Sequence, residues 1–109
     1  MANTFSSEFY NNVGISAQVV YTCTNPVLTA TMIGMTVANT TNNQISVDVF
    51  VTRSSTNYYL VKGAIIVPGG ALVPVGGDQK IVLEQSDTMS VVSNTASSAD
   101  VIVSVLEKT

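Results

Sequence analysis

Four of the seven acidic residues lie where candidate strands end, and they are the side chains best placed for acid–base chemistry: Asp78, Glu84, Asp87 and Asp100. Two facing carboxylates can share acid–base work, as they do in glycosidases. Three of the four stand beside Gly, Ser or Ala, where an aspartate usually bonds to its own backbone in a turn. Asp78 or Asp87 could also add oxygen ligands to a weak calcium site, although no DxDxDG spacing supports one. We expect these residues to form turns, and we predict no catalytic residue.

Histidine is absent from the sequence, which removes most other routes to catalysis or metal binding. Ser-His-Asp and Cys-His arrangements are excluded, and a zinc site cannot be built around a single cysteine. That cysteine, Cys23, lies in an apparent strand and is expected to be a small buried residue without an internal disulfide. The glycine pairs at 69–70 and 76–77 lack the GxGxxG spacing of a nucleotide site. We therefore predict that the protein is not an enzyme and holds no cofactor or metal.

Charged residues are scarce, at 10% of the 109-residue chain, and the net charge is −3. The four basic residues lie far apart in sequence, so no basic stripe is available for nucleic acid or for an anionic membrane surface. A surface that solvates well but repels little lets neighbouring copies pack closely, which favours an oligomer or an assembly subunit. The N-terminus has no positive region followed by an apolar stretch, so we expect synthesis and folding in a cytoplasm.

Alternation with period two is the dominant pattern along the chain, as in strands with one buried face. It is clearest over residues 44–53, where one face carries only aliphatic side chains: Ile45, Val47, Val49 and Val51. Residues 101–106 are apolar on much of both faces, which is typical of a central strand or of a partner contact. The pattern predicts eight strands, at about Ile15–Thr24, Leu28–Asn39, Gln44–Arg53, Asn57–Lys62, Ala64–Val67 with Ala71–Val75, Gln79–Glu84, Thr88–Asn94 and Asp100–Glu107.

Short polar segments separate the predicted strands and carry the residues that turns need. Residues 39–43, Asn-Thr-Thr-Asn-Asn, are typical of a hairpin loop, and Pro68-Gly69-Gly70 provides a tight turn. Helical spacing is not sustained anywhere in the sequence. We predict an all-β fold, a single antiparallel β-sandwich over residues 13–109 that is either jelly-roll-like or Ig-like. The sequence leaves the connectivity of the strands open.

The first twelve residues differ from the rest because they place three aromatic side chains, Phe5, Phe9 and Tyr10, in a polar, Asn-rich setting without a clean period. One interpretation is a frayed tail or an edge segment. The other is an arm, residues 1–12, that docks its aromatic side chains on a neighbouring subunit. The second interpretation makes these three residues candidate assembly contacts, and it predicts that removal of the arm weakens assembly without unfolding the domain.

Tyr58 and Tyr59 are the other aromatic residues that could contact a ligand, since aromatic faces stack on carbohydrate. Adjacent residues of a strand point to opposite faces, so we expect at most one of the two to serve any given surface. Packing within the domain is the alternative role for both.

Several phrases of the sequence, taken in order, resemble a group of small virion proteins of tailed bacteriophages, including phages of cyanobacteria. They are TMIGMTVAN at 31–39, QISVDVFVT at 44–52, YLVK at 59–62, VPVGGDQKIVLE at 73–84 and SSADVIVSVLE at 97–107. The similarity covers roughly residues 13 to 107 and rests on pattern and short phrases, without a catalytic signature. The first twelve residues lie outside it.

The resemblance implies a structural component of a phage particle, a β-sandwich present in several copies and often trimeric, without cofactor or catalytic residues. The expected place is the capsid surface, as a decoration or cement protein that contacts itself and the major capsid protein. A neck, tail or fibre component is the alternative within the virion. A carbohydrate-binding β-sandwich module facing the host is the alternative function, and an exposed groove with a tyrosine on its wall would favour it.

Overall fold

The computed structural model describes residues 3–76 and 80–109, which form nine β-strands and, within those ranges, no helix. No described segment is therefore a helix long and apolar enough to cross a membrane. Asp78, considered above for catalysis and for calcium, lies outside the described residues. The strands are β1 (Asn3–Val13), β2 (Gln18–Thr22), β3 (Thr29–Asn39), β4 (Ile45–Arg53), β5 (Thr56–Ile66), β6 (Ala71–Val75), β7 (Ile81–Glu84), β8 (Thr88–Ser93) and β9 (Ala99–Lys108).

The strands form two antiparallel sheets that pack face to face. The first sheet has five strands in the order β1-β9-β3-β6, with β7 also paired to β3, and the second has the order β2-β8-β4-β5. Strands far apart in sequence are therefore neighbours in space, and β4–β5 is the one hairpin among the described pairings. This is the strand order of a jelly roll in which β6 and β7 together take the place of one strand. The predicted all-β sandwich is confirmed, and of its two forms the chain adopts the jelly roll.

The core lies between the two sheets and consists mainly of β-branched side chains. Val37 and Val103 of the first sheet and Val49 and Val91 of the second are each fully buried. The alternation predicted for β4 places all four of its aliphatic residues in this core. Strand β9 lies between β1 and β3, with Val101, Val103 and Val105 in the core, while its other face remains partly exposed at Ile102.

Of the two interpretations of the N-terminal segment, a tail or edge segment and a docking arm over residues 1–12, the structure shows an edge strand. Residues 3–13 form β1, which pairs with β9 from Asn3–Lys108 to Val13–Ala99, so they extend the first sheet at its edge. Tyr10 packs against the core. Removing this strand would uncover β9 and part of the core, so we expect its deletion to destabilise the domain as well as to affect assembly. The sequence concealed the strand because the polar residues of an edge strand carry little alternation.

Strand β5 runs through the break that the sequence placed after Lys62. The chain continues as one strand because Gly63 adopts a positive φ of 67° and forms part of a bulge opposite β4. Strand β5 has a second bulge nearer its N-terminal end, since Val49 pairs with Val61 while the next residue of β4, Phe50, pairs with Tyr59. Leu60 is the extra residue at this point. Each bulge changes which face the following side chains occupy.

Val49→Asp tests the assignment of the core. Val49 is fully buried, so the substitution would place an unpaired charge between the sheets and lower the free energy of unfolding by about 4 kcal/mol. That is a large part of the total stability of a domain of this size. Val73→Asp is the control, because Val73 lies in β6 and is 61% exposed. Urea denaturation followed by circular dichroism measures both, and equal stability of the two variants would contradict the assignment.

Candidate functional site

Two of the described candidate carboxylates, Glu84 and Asp100, lie too far apart to form a catalytic pair. Along β3, Glu84 pairs with Thr29 and Asp100 lies opposite Ala38, nine residues away. That separation is about 30 Å at the usual rise of a strand. Acid and base in a glycosidase lie within about 10 Å of each other. The described residues also contain no group of three or more Cys, Asp or Glu side chains that could hold a metal ion.

Asp87 closes one end of the sandwich. Its carboxylate is buried, and the guanidinium of Arg53 donates to both of its oxygens, with Nε 2.9 Å from Oδ2 and 3.1 Å from Oδ1. The backbone N–H of Glu84 donates to Oδ2 at 2.8 Å. Arg53 and this N–H hold the pKa of Asp87 below its ordinary value, against the opposing effect of burial. A carboxylate held ionised in this way is a structural tie, as the turn-forming role predicted for it implies.

Cys23 is buried at the same end of the molecule, as predicted, although it follows the end of β2 instead of lying in the strand. Its Sγ lies 3.9 Å from the carbonyl oxygens of Val27 and Leu83. Burial raises the pKa of the thiol. A buried neutral thiol without a base beside it behaves as a small apolar side chain rather than as a nucleophile.

The outer face of the first sheet carries the two phenylalanines of β1. Phe5 is 74% exposed and Phe9 is 70% exposed, and they alternate with Tyr10, which is partly buried toward the core. Phe9 lies opposite Ile102 of β9, which is also exposed, and Phe5 lies opposite Leu106. Of the three candidate assembly contacts, Phe5 and Phe9 are thus free to meet another molecule, whereas Tyr10 faces the other sheet.

A cleft of about 670 Å³ opens between β5 of the second sheet and β7 of the first. Both tyrosines line it, Tyr58 at 59% exposure and Tyr59 at 44%. Tyr58 lies opposite Val51, a core residue of β4, whereas Tyr59 lies opposite Phe50, so the two side chains belong to opposite faces of β5, as alternation along a strand predicts. Both border the cleft because β5 lies at the edge of its sheet. Arg53 is the one other polar residue of the lining. The rest of the wall is apolar and consists of Val51, Leu60, Ile81, Val82 and Leu83.

The two tyrosines have different surroundings within the cleft. The ring of Tyr59 lies 5.1 Å from the ring of Phe50, between centroids, and Lys62 Nζ lies 4.5 Å from the Tyr59 centroid. Tyr59 therefore packs against residues of its own domain. It covers Phe50, which is buried although its side chain lies on the outer face of β4. Tyr58 is the more exposed ring. Sequence alternation could not reveal the cleft, because its far wall comes from β7.

Comparison with known proteins gives one informative result. No protein-family model matches the chain, and no curated protein matches it in sequence. Among solved structures, the chain is similar to a subunit of Bacillus endospore appendages, which are described as a novel family of disulfide-linked pili. The two are 11% identical, the match covers 98% of this chain and 87% of the other, and the TM-score is 0.57. At this identity the similarity shows a shared fold.

The Arg53–Asp87 tie makes stability depend on pH in acid. The pKa of an aspartate in an unfolded chain is about 3.9, and the pKa of Asp87 in the folded protein lies below its ordinary value. The tie therefore adds stability above about pH 4, and this contribution is lost as the pH falls through the folded value. Asp87→Asn is expected to lower the urea midpoint at pH 7 and to make the acid decline shallower.

Asp100→Asn is the matched control, because the Asp100 carboxylate accepts one backbone hydrogen bond at the surface, from Asn12 at 3.2 Å. It should change the midpoint less at pH 7 and leave the acid decline in place. An Asp87→Asn protein that keeps the full acid decline of the wild type would show that another group is responsible.

Proposed function

We propose that this protein is a structural subunit that works by associating with copies of itself and with neighbouring proteins of a particle. The observation that carries the proposal is the pair of exposed phenylalanines, Phe5 and Phe9, on the outer face of a regular sheet. Exposed apolar side chains grouped on one face are typical of protein interaction sites. A fold needs no such residues on its surface, whereas an assembly contact does.

The low charge of the chain supports the same proposal. Besides the phenylalanines, several large aliphatic side chains are more than half exposed: Ile15, Leu28, Ile65, Val67, Val73 and Val82. With 10% charged residues, repulsion between copies is weak. Such a surface is costly for a molecule that remains single in solution, and it becomes useful once neighbouring copies cover it.

The likeness to a pilus subunit is compatible with an assembly role and suggests a difference in how contacts form. Those appendages are described as disulfide-linked. This chain has one cysteine, Cys23, which is buried. We therefore propose that its own assembly uses non-covalent contacts between sheet faces or sheet edges.

The particle we propose is the virion of a tailed phage, and the proposed place is the capsid surface, as a decoration or cement protein. This part of the proposal rests on the sequence resemblance and includes the major capsid protein as a partner, with synthesis in the host cytoplasm before incorporation. A neck, tail or fibre position is the alternative. The resemblance implies three copies per assembly unit.

The solution mass of the purified protein tests self-association. Light scattering over a range of concentrations should give a closed oligomer, a whole multiple of the 11.4 kDa chain. The double variant Phe5→Ser/Phe9→Ser should shift the mass toward one chain, because it removes the exposed rings without touching the core. Val67→Ser/Val73→Ser is the control, since it changes two exposed valines elsewhere. A wild type that stays monomeric at every concentration would contradict self-association.

The cleft between β5 and β7 favours carbohydrate binding as a second candidate function. The cleft has a volume of about 670 Å³, and its wall combines an exposed aromatic ring, Tyr58, with the guanidinium of Arg53. Sugar rings present C–H faces that stack on an aromatic ring and hydroxyls that accept hydrogen bonds from a guanidinium. A groove with a tyrosine on its wall is the feature expected to favour the binding-module interpretation.

Titration with bacterial surface oligosaccharides, followed by NMR shifts of the amides of β5 and β7, tests this second candidate. Tyr58→Ala should weaken binding about tenfold, or about 1.4 kcal/mol, because it removes the stacking face. Phe9→Ala is the control, since it removes an exposed ring outside the cleft. Equal affinity of both variants, or no shift with any sugar, would exclude the cleft as a carbohydrate site.

A further inference from the structure

Each of the two sheets has two edges, and these four edges differ in whether another strand could pair with them. Strand β2 has five residues and a bulge between Val19 and Tyr21. Strand β5 carries two bulges, one of them at Gly63. On the far side of the first sheet, β6 contains Pro74 and a bulge, and β7 has four residues. Bulges, proline and short length are the usual protections of sheet edges.

Strand β1 has none of these protections over most of its length. Its register with β9 is unbroken from Asn3 to Tyr10, and the first irregularity falls between Tyr10 and Val13. Among the described strands it pairs with β9 alone, so its other side presents unpaired backbone N–H and C=O groups. It carries one charged residue, Glu8, and no proline. Of the described edges, this is the one that can accept a further strand over a long stretch.

The sequence of β1 is nearly symmetric about Ser7. Asn3 and Asn11 lie four residues from it on either side, and Phe5 and Phe9 lie two residues from it. Two copies of β1 that pair antiparallel about a two-fold axis at Ser7 would place each residue opposite its symmetric counterpart. Phe5 would then face Phe9 of the second copy twice, on the same outer face. Aromatic cross-strand pairs of this kind stabilise sheets.

Backbone geometry and charge select the same register. Every second residue of β1 directs its backbone N–H and C=O away from β9, toward the second copy. In an antiparallel pair these residues must lie opposite one another, which holds when the two-fold axis passes through a residue, because odd residues then pair with odd ones and even with even. An axis at Ser7 meets this condition and places Glu8 opposite Ser6 of the second copy. An axis at Glu8 meets it too, but would set two carboxylates directly opposite, which is destabilising. The axis at Ser7 also gives the longest overlap that matches both phenylalanines.

We propose that two copies of this chain join through their β1 edges, antiparallel and centred on Ser7, so that their first sheets form one continuous sheet. The inference rests on the proposed self-association and names its surface and its partner, a second copy. The contact is isologous, the commonest kind in homo-oligomers. It replaces the trimer implied by the resemblance with a two-fold unit, because no second regular edge is described that could receive β1 in a closed ring.

Opposite charges at position 7 test the pairing. Ser7 is exposed, and on the proposed axis it faces Ser7 of the second copy, so Ser7→Asp alone and Ser7→Lys alone each set like charges opposite each other. Each variant should fall to half the wild-type mass, to one 11.4 kDa chain. An equimolar mixture should regain the wild-type mass, and native mass spectrometry should show one Asp chain paired with one Lys chain.

Thr22→Asp and Thr22→Lys provide the control, because Thr22 is an exposed residue of the short β2 edge. Both should keep the wild-type mass, and circular dichroism should show that all four variants are folded. A wild-type dimer that loses its partner in each Ser7 variant and recovers it in the mixture would establish the contact.

The possible failures separate the two proposals. A wild type that oligomerises equally well with either charge at position 7 would overturn the β1 contact and leave self-association standing. A wild-type trimer would overturn the two-fold arrangement. A wild type that remains monomeric at all concentrations would overturn both the β1 contact and the self-association on which it rests.

Discussion

The contact between the inner faces of the two sheets is the constraint on which the rest of the structure depends. Its residues are mostly valines, small and β-branched, which suit strands and fill the space only when both sheets are complete. With one buried cysteine and no disulfide, this apolar contact is the main source of stability among the described residues. Because each sheet draws on strands from both halves of the chain, neither half can form the core alone. The jelly-roll order follows from folding one long ribbon onto itself.

The polar residues that sequence inspection considers for chemistry are used to close this sandwich. Arg53 and Asp87 tie the end of β4 to the turn before β8, and Tyr21 Oη donates to Glu107 at 2.6 Å across the two sheets. At other loops the Asn39 side chain donates to the backbone of Ile66, and no described buried side-chain N or O lacks a partner. Apart from the partly exposed guanidinium of Arg53, which also lines the cleft between β5 and β7, groups paired inside the fold are not available for a substrate. The features that remain unsatisfied are on the surface: the exposed rings and the open edge of β1.

Local pattern predicted the strands well and their partners poorly. The alternation of β4 follows directly from which side chains are buried, so its inner face could be assigned from the sequence. For residues 1–12 the sequence left a tail, an edge segment and an arm open, because an edge strand with one solvated face needs few apolar residues and its partner β9 lies at the other end of the chain. The cleft beside Tyr58 and Tyr59 could not be foreseen, because its far wall comes from β7, which is distant in sequence. Phe5 and Phe9 were identified from the sequence as aromatic residues in a polar segment. The opposite orientation of Tyr10 became evident only from the pairing of β1 with β9.

In the proposed assembly subunit, stability and contacts would lie on separate surfaces: the inner faces of the sheets provide the first, and the β1 edge would provide the second. Hydrogen exchange of the β1 backbone amides, measured at low and at high protein concentration, tests this most directly. Amides of β1 that point toward β9 should be protected at both concentrations, while those that point outward should exchange fast when dilute and slowly when concentrated. Outward amides that exchange equally fast at both concentrations would contradict the account, because the edge would then be open in every state of the protein.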